Sequence, residues 1–143
     1  MTKFDNIRSQ IMRAVHSKDT RPELIIRKTL HALGYRYQIH CNNLPGSPDI
    51  VFSKRRKVIF VHGCFWHGHN CKRGIRKPKA NAEYWEAKIA KNQIRDTRSM
   101  DELKSAGWET SVVWECELKV RNRAELETRL TAFLGATKYM RKK

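Results

Sequence analysis

The sequence predicts an α/β domain built on a central mixed sheet flanked by helices. Three observations carry that expectation. The run Val58-Ile59-Phe60-Val61 is β-branched or aromatic throughout and follows a Lys-Arg-Arg-Lys turn at 54–57, as expected for a strand buried on both faces. Two longer stretches, near 20–34 and 82–107, carry apolar spacing with helix start and stop residues. The predicted elements follow one another as helix, strands, helix, strand, helix, which suits a sheet covered by helices.

Taken in order, residues 5–16 can form a short helix through Ile7, Ile11 and Val15, with Arg8 and Arg13 on its polar side. The interruption at 16–20 makes it an arm rather than a core element. Thr20, Pro22 and Glu23 form a capping-box start for the next helix, with Leu24, Ile25, Leu30 and Leu33 expected inside and Gly34 ending it. Residues 35–40 alternate as a strand, and 41–48 are dense in turn formers. Asp49-Ile-Val-Phe reads as a strand in a hairpin with 58–62. A long helix is expected over 82–106 behind Asn81 as N-cap, a strand over 108–115, and a last helix over 123–134 with Leu126, Leu130, Phe133 and Leu134 inward. Trp108 and Trp114 fall in the strand pattern as core residues.

At 143 residues the chain is long enough for one domain with a real core and short for two. Its 40% hydrophobic and 31% charged residues are those of a soluble globular chain. No apolar run is long enough to cross a bilayer, and the N-terminus lacks a signal-peptide core, so a cytoplasmic protein without a membrane partner is expected. Uneven spacing of the four cysteines points to metal rather than to a disulfide framework. The formal charge of +16 is suited to a polyanion, and nucleic acid is the commonest. The basic residues cluster at 54–57, at 72–79 and at Lys138, Arg141, Lys142 and Lys143.

Chemistry concentrates in 57–71. Cys64, His69 and Cys71 come from one loop, and Cys116 at a strand end can complete a four-coordinate thiolate and imidazole site, the composition of structural zinc. Ordinary buried cysteines beside surface histidines are the simpler alternative, and Cys41 is left over as an inert loop thiol. Asp49 at the head of one strand and His62 at the end of its neighbour fall on one edge of the sheet. A carboxylate there can hold Mg²⁺ with a backbone carbonyl and waters, while His62 and His67 handle protons or contact phosphate. Taken alone, Asp49 is a turn residue and Glu23 is explained by its cap. Phe65 and Trp66, in a polar glycine-flanked loop, suit stacking on bases, with Trp85 as a third member.

Pro48-Asp49, Val61-His62-Gly63-Cys64-Phe65-Trp66-His67 and Trp114-Glu115-Cys116 together resemble the very-short-patch-repair (Vsr) mismatch endonuclease family, with a likeness running from Met12-Arg13-Ala14-Val15 to Cys116. The resemblance implies a restriction-endonuclease-like three-layer α/β/α fold with a structural zinc site. It also implies Mg²⁺-dependent nicking of one strand at T:G mismatches left by deaminated 5-methylcytosine. By position, Asp49 resembles the Mg²⁺ ligand, with Val61 contributing its backbone carbonyl, and Glu23 the acid that reaches the metal's waters. His62 resembles the histidine near the scissile phosphate, His67 the general base and Asp96 the carboxylate that orients it. Cys64, His69, Cys71 and Cys116 match the zinc set. Phe65, Trp66 and Trp85 resemble the wedge, Met12 the side chain inserted from the other groove, and Lys88 and Asn92 the readers of the mismatched pair.

Val61 stands where some members carry Thr, which leaves a carbonyl contact possible and removes a hydroxyl; Gly68 and Asn70 replace histidines of some members. The expectation is one endonuclease domain over 1–143 with a DNA-contacting arm at 1–19. It would work as a monomer on mismatched double-stranded DNA, with mismatch-repair proteins as possible partners and a bacterial, nucleoid-associated setting. Two rivals remain: a non-catalytic zinc module that binds distorted DNA, and a restriction endonuclease of the same fold.

Overall fold

A computed structural model describes residues 20–71 and 80–137. The expected arm with Met12, the basic loop 72–79 and the basic tail lie outside the described residues. Helix α1 spans Arg21–Ala32 behind Thr20, whose hydroxyl accepts from the Glu23 amide at 3.5 Å. Its inner face is Glu23, Ile26, Arg27 and Leu30, the i, i+3, i+4, i+7 set of one helical stripe. Leu24, expected inside, falls off that stripe and is 50% exposed, while Ile25 and Leu33 are partly buried against the core.

The sheet has three strands: β1 (Ile50–Phe52), β2 (Lys57–His62) and β3 (Glu109–Trp114), in the order β1-β2-β3. β1 runs antiparallel to β2 with Ile50 opposite Ile59, and β3 runs parallel to β2 with His62 opposite Trp114. Parallel neighbours need a long crossover, and α2 (Ala82–Ser105) supplies it. Asn81 occupies the N-cap position of α2 in a left-handed conformation, without a side-chain capping bond. Residues 35–40 do not form the expected strand: they meet the sheet at one bridge, Gln38 to Val51, and His40 at φ 59° turns the chain out of extended geometry.

Alternation along the strands divides the core. Ile50, Phe52, Ile59 and Val113 join Ile26 and Leu30 of α1 and Leu126, Leu130 and Leu134 of α3 (Arg123–Leu134). Val51, Val58 and Phe60 join Leu103 of α2. β2 is thus buried on both sides, as its apolar run requires. Each fully buried aliphatic side chain contributes about 1.5–3 kcal/mol, and Leu130→Ala would cost about 2–5 kcal/mol. Two 3-10 turns, Glu115–Leu118 and Val120–Asn122, carry the chain from β3 into α3. The α3 C-terminus is held by cations: Arg55 donates to the Leu134 carbonyl at 2.7 Å and Lys57 to that of Phe133. Among the described residues, no helix is long and apolar enough to cross a membrane.

Candidate active site and metal centre

Asp49 enters β1 from a loop seated on α2. Gly46, at φ +74°, lies so close that an added Cβ would fall 2.7 Å from the Ser99 Cβ. The Asp49 carboxylate accepts from the Val61 amide at 2.6 Å, so the hairpin joins the acid to the end of β2. Burial pushes the Asp49 carboxyl up to about 7; the Val61 amide opposes this, the adjacent Glu23 carboxylate reinforces it, and Arg27 opposes it. Glu23 is therefore more than a cap. Its side chain is buried, accepts from Arg27 at 3.0 Å and lies beside Asp49. Two carboxylates at one buried sheet edge form a place where a hard cation relieves repulsion.

At the end of β2, His62 and His67 stack with ring centroids 3.8 Å apart and planes 1° apart. His67 Nδ1 lies 2.5 Å from the Asp96 carboxylate of α2. An ionised carboxylate there accepts the Nδ1–H and leaves Nε2 as the basic nitrogen. His62 is held down to about 4 by burial first, then by His67 and Arg95, with Asp96 opposing, so it is neutral near pH 7. Trp114 stands edge-on to His62, with centroids 5.3 Å apart, and stacks on His69 at 4.2 Å. The sequence pattern marks Trp114 as core; the signal that places it here is the parallel register that sets it opposite His62.

The donor atoms of Cys64, His69, Cys71 and Cys116 all lie within 4.8 Å of one another. The Cys116 amide reaches the Cys64 sulfur at 3.4 Å, and the Cys116 sulfur lies 3.6 Å from His69 Nδ1. Three thiols and one imidazole in this arrangement can hold a metal ion that ties the loop after β2 to the end of β3. Burial pushes the Cys64 thiol up to about 12 and raises that of Cys116, so thiolates at these positions would need a cation beside them. Cys41 is outside this group and packs on the α2 side of the core.

Phe65, Trp66 and Trp85 touch edge to face, with centroids 5.0 to 5.6 Å apart, and all three are half-buried. Lys88 is exposed on α2 below them. Asn92 is buried, and its amide donates to the Trp66 carbonyl at 2.8 Å while its oxygen accepts from Arg95 at 3.1 Å. Gln93 donates to the His67 carbonyl at 3.2 Å. Sequence reasoning did not find Arg27, Gln93 or Arg95, whose partners are distant in the chain or one helical turn away.

A family model described as DNA mismatch endonuclease Vsr matches residues 1–73. Type II nicking enzyme V.XorIIP of Xanthomonas oryzae pv. oryzae is 50% identical over 127 residues, 89% of this chain and 91% of that protein. Type II nicking enzyme V.NmeAIP of Neisseria meningitidis serogroup A is 45% identical over 131 residues, 92% of this chain and 91% of that protein. DNA mismatch endonuclease Vsr of Escherichia coli is 40% identical over 116 residues, 81% of this chain and 74% of that protein. The chain belongs to the Vsr family. The part of this Vsr protein that matches the family model holds Glu23, Asp49, His62, His67, Cys64, His69 and Cys71. Trp85, Asp96 and Cys116 lie beyond it and reach the same neighbourhood through the fold.

Proposed function

We propose that this protein is a DNA mismatch endonuclease that hydrolyses one strand of double-stranded DNA at T:G pairs derived from deaminated 5-methylcytosine, with Mg²⁺ as catalytic and zinc as structural metal. The observation that carries the reading is a buried acid pair, Asp49 and Glu23, bonded to β2 at the Val61 amide, next in the chain to His62, whose ring stacks on the carboxylate-oriented His67. A non-catalytic DNA-binding module would need neither. The division of the core over the two sets of alternating strand residues supports a restriction-endonuclease-like α/β/α layering. The family's mismatch endonuclease and nicking relatives support DNA as the substrate and a cytoplasmic setting.

Asp49 and the Val61 carbonyl would hold Mg²⁺, with Glu23 reaching its waters; when bound, the ion supplies charge neutralisation at the phosphoryl transition state and a water of lowered pKa. His67 accepts the proton of the attacking water at Nε2, since Asp96 engages Nδ1 and stabilises the imidazolium that forms. His62, kept neutral, offers a hydrogen bond to the scissile phosphate. Phe65, Trp66 and Trp85 enter the stack beside the mismatch, with Met12 from the opposite groove. A wobble pair costs less to distort than a Watson–Crick pair, and Lys88 and Asn92 add contacts to the mismatched bases. Cys64, His69, Cys71 and Cys116 would hold zinc with no position left for substrate.

The test is nicking of a set of T:G duplexes with varied flanking sequence, with and without Mg²⁺. Single-strand cleavage at T:G and none at T:A is expected. Mismatch binding without cleavage at any Mg²⁺ concentration would instead establish the non-catalytic module, and cleavage of both strands of paired DNA a restriction endonuclease.

A further inference from the structure

Two carbonyls in succession, those of Trp66 and His67, are each taken by a side-chain amide of α2: Asn92 at 2.8 Å and Gln93 at 3.2 Å. One turn further along the same helix, Asp96 holds the His67 ring at 2.5 Å. The next residue, a glycine, sits tightly against the same helix. Gly68 has φ +64°, and an added Cβ would fall 2.4 Å from the Gln93 amide nitrogen and 2.8 Å from the Ile89 Cγ2 methyl. Asn92 is itself fixed, because it is 9% exposed and Arg95 donates to its oxygen at 3.1 Å. One N–H and one oxygen lone pair of its amide are thus engaged by the protein.

We infer that Asn92 and Gln93 are positioning residues that clamp the Trp66–His67 backbone to α2, so that the stacking aromatic and the proton acceptor are held as one body. The inference rests on the roles given above to Trp66 and His67 and adds a positioning role to the base contact given above to Asn92. Its physical content is a coupling. A base stacked on Trp66 loads the same stretch of backbone that sets His67 against Asp96, so insertion and proton transfer share one rigid support. Arg95 acts behind Asn92 by keeping its amide turned toward Trp66.

The experiment compares the full-length zinc-loaded protein with Asn92→Leu, Asn92→Asp and Gln93→Met. Amide hydrogen exchange is followed over residues 64–69 without DNA, together with single-turnover nicking and the ratio of T:G to T:A binding. Removing the Asn92 donor should speed exchange in the loop about tenfold, the loss of one hydrogen bond, and leave amides of β2 unchanged. Nicking at saturating DNA should fall by roughly 10- to 100-fold in the Asn92 variants as His67 loses its placement, while in Gln93→Met, which removes no base contact, the binding ratio stays within about twofold. Asn92→Asp keeps the size without the donor and should behave as Asn92→Leu. Gln93 is exposed, so Gln93→Met tests the second bond without disturbing the core and should also speed loop exchange.

Unchanged loop exchange in both Asn92 variants overturns the clamp, whatever the binding ratio then does. Equal acceleration in β2 and the loop also overturns it, since that is general destabilisation. Should the parent fail to nick any T:G duplex, the nuclease reading fails by itself, and the exchange measurement still decides the clamp.

Discussion

Burial drives Asp49 and His62 toward their uncharged forms, and the consequences for stability have opposite signs. The folded protein holds the Asp49 proton up to about 7, above the ordinary 3.8, so its contribution is full below that lower value and is lost as pH rises through 7. His62 is depressed to about 4, so its contribution is present above its ordinary 6.5 and is lost as pH falls toward 4. Asp49→Asn removes the first effect alone. Without added Mg²⁺ the variant should gain on the order of 2 kcal/mol over the parent at pH 8 and little at pH 4. Thermal melts across that range check the sign, and Mg²⁺ should raise the parent's midpoint at pH 8 but not the variant's. The same substitution should abolish nicking while leaving mismatch binding largely intact, because it removes a cation ligand and no base contact. Asp96→Asn acts on His67 alone: with the carboxylate gone, Nε2 loses its assigned tautomer, and single-turnover nicking should fall about 10²-fold or more. An undiminished rate would show that another group takes the proton.

The loop between β2 and α2 owes its shape to groups that arrive from elsewhere in the chain, and the cysteine cluster is its anchor at the β3 end. Cys71→Ser should lose stoichiometric zinc on metal analysis and lower the melting temperature, since binding free energy at such a site is folding free energy. Cys41→Ser should do neither, because Cys41 lies outside the cluster. The cluster of Cys64, His69, Cys71 and Cys116 could be read from spacing since three of its members sit in one loop, and the fourth follows a strand whose neighbour begins that loop. The Thr20 cap, the apolar run of β2 and the Leu126, Leu130, Leu134 stripe of α3 were legible for a related reason: each is a local pattern with one packing solution. Other features depend on partners far along the chain. Residues 35–40 alternate like a strand, yet the turn at His40 limits them to one bridge. Glu23 has a complete local explanation, and its approach to Asp49 exists only once α1 lies against the end of the hairpin. Trp114 alternates like a core residue, and parallel pairing with β2 turns that position into the wall behind both histidine sites.

At the scale of the molecule, a formal charge of +16 makes salt the direct probe of how DNA is held, but the basic clusters are not equivalent. The group at 54–57 is partly engaged by the protein itself. Arg55 and Lys57 hold the last carbonyls of α3, and Arg56 lies over the Trp108 ring at 4.8 Å and reaches the Ala106 carbonyl at 3.2 Å. Lys88 and Lys91, by contrast, are exposed on α2 and flank the stripe that carries Trp85, Asn92 and Asp96. Phosphates beside an inserted wedge would meet this face of the helix first. Each neutralised phosphate contributes about −0.9 to the slope of log K against log salt. Lys88→Ala with Lys91→Ala should therefore make the slope shallower by about 1.8 if each lysine meets one phosphate. Arg55→Ala with Arg56→Ala should leave the slope nearly unchanged and lower thermal stability, because those side chains support α3 and Trp108. Trp66→Ala should weaken T:G binding by roughly 1–3 kcal/mol at every salt concentration without altering the slope, since stacking releases no counterions. Binding measured over a range of salt separates the three outcomes. A slope reduced by the Arg55 and Arg56 pair rather than by the Lys88 and Lys91 pair would move the DNA path away from α2 and toward the β1–β2 turn.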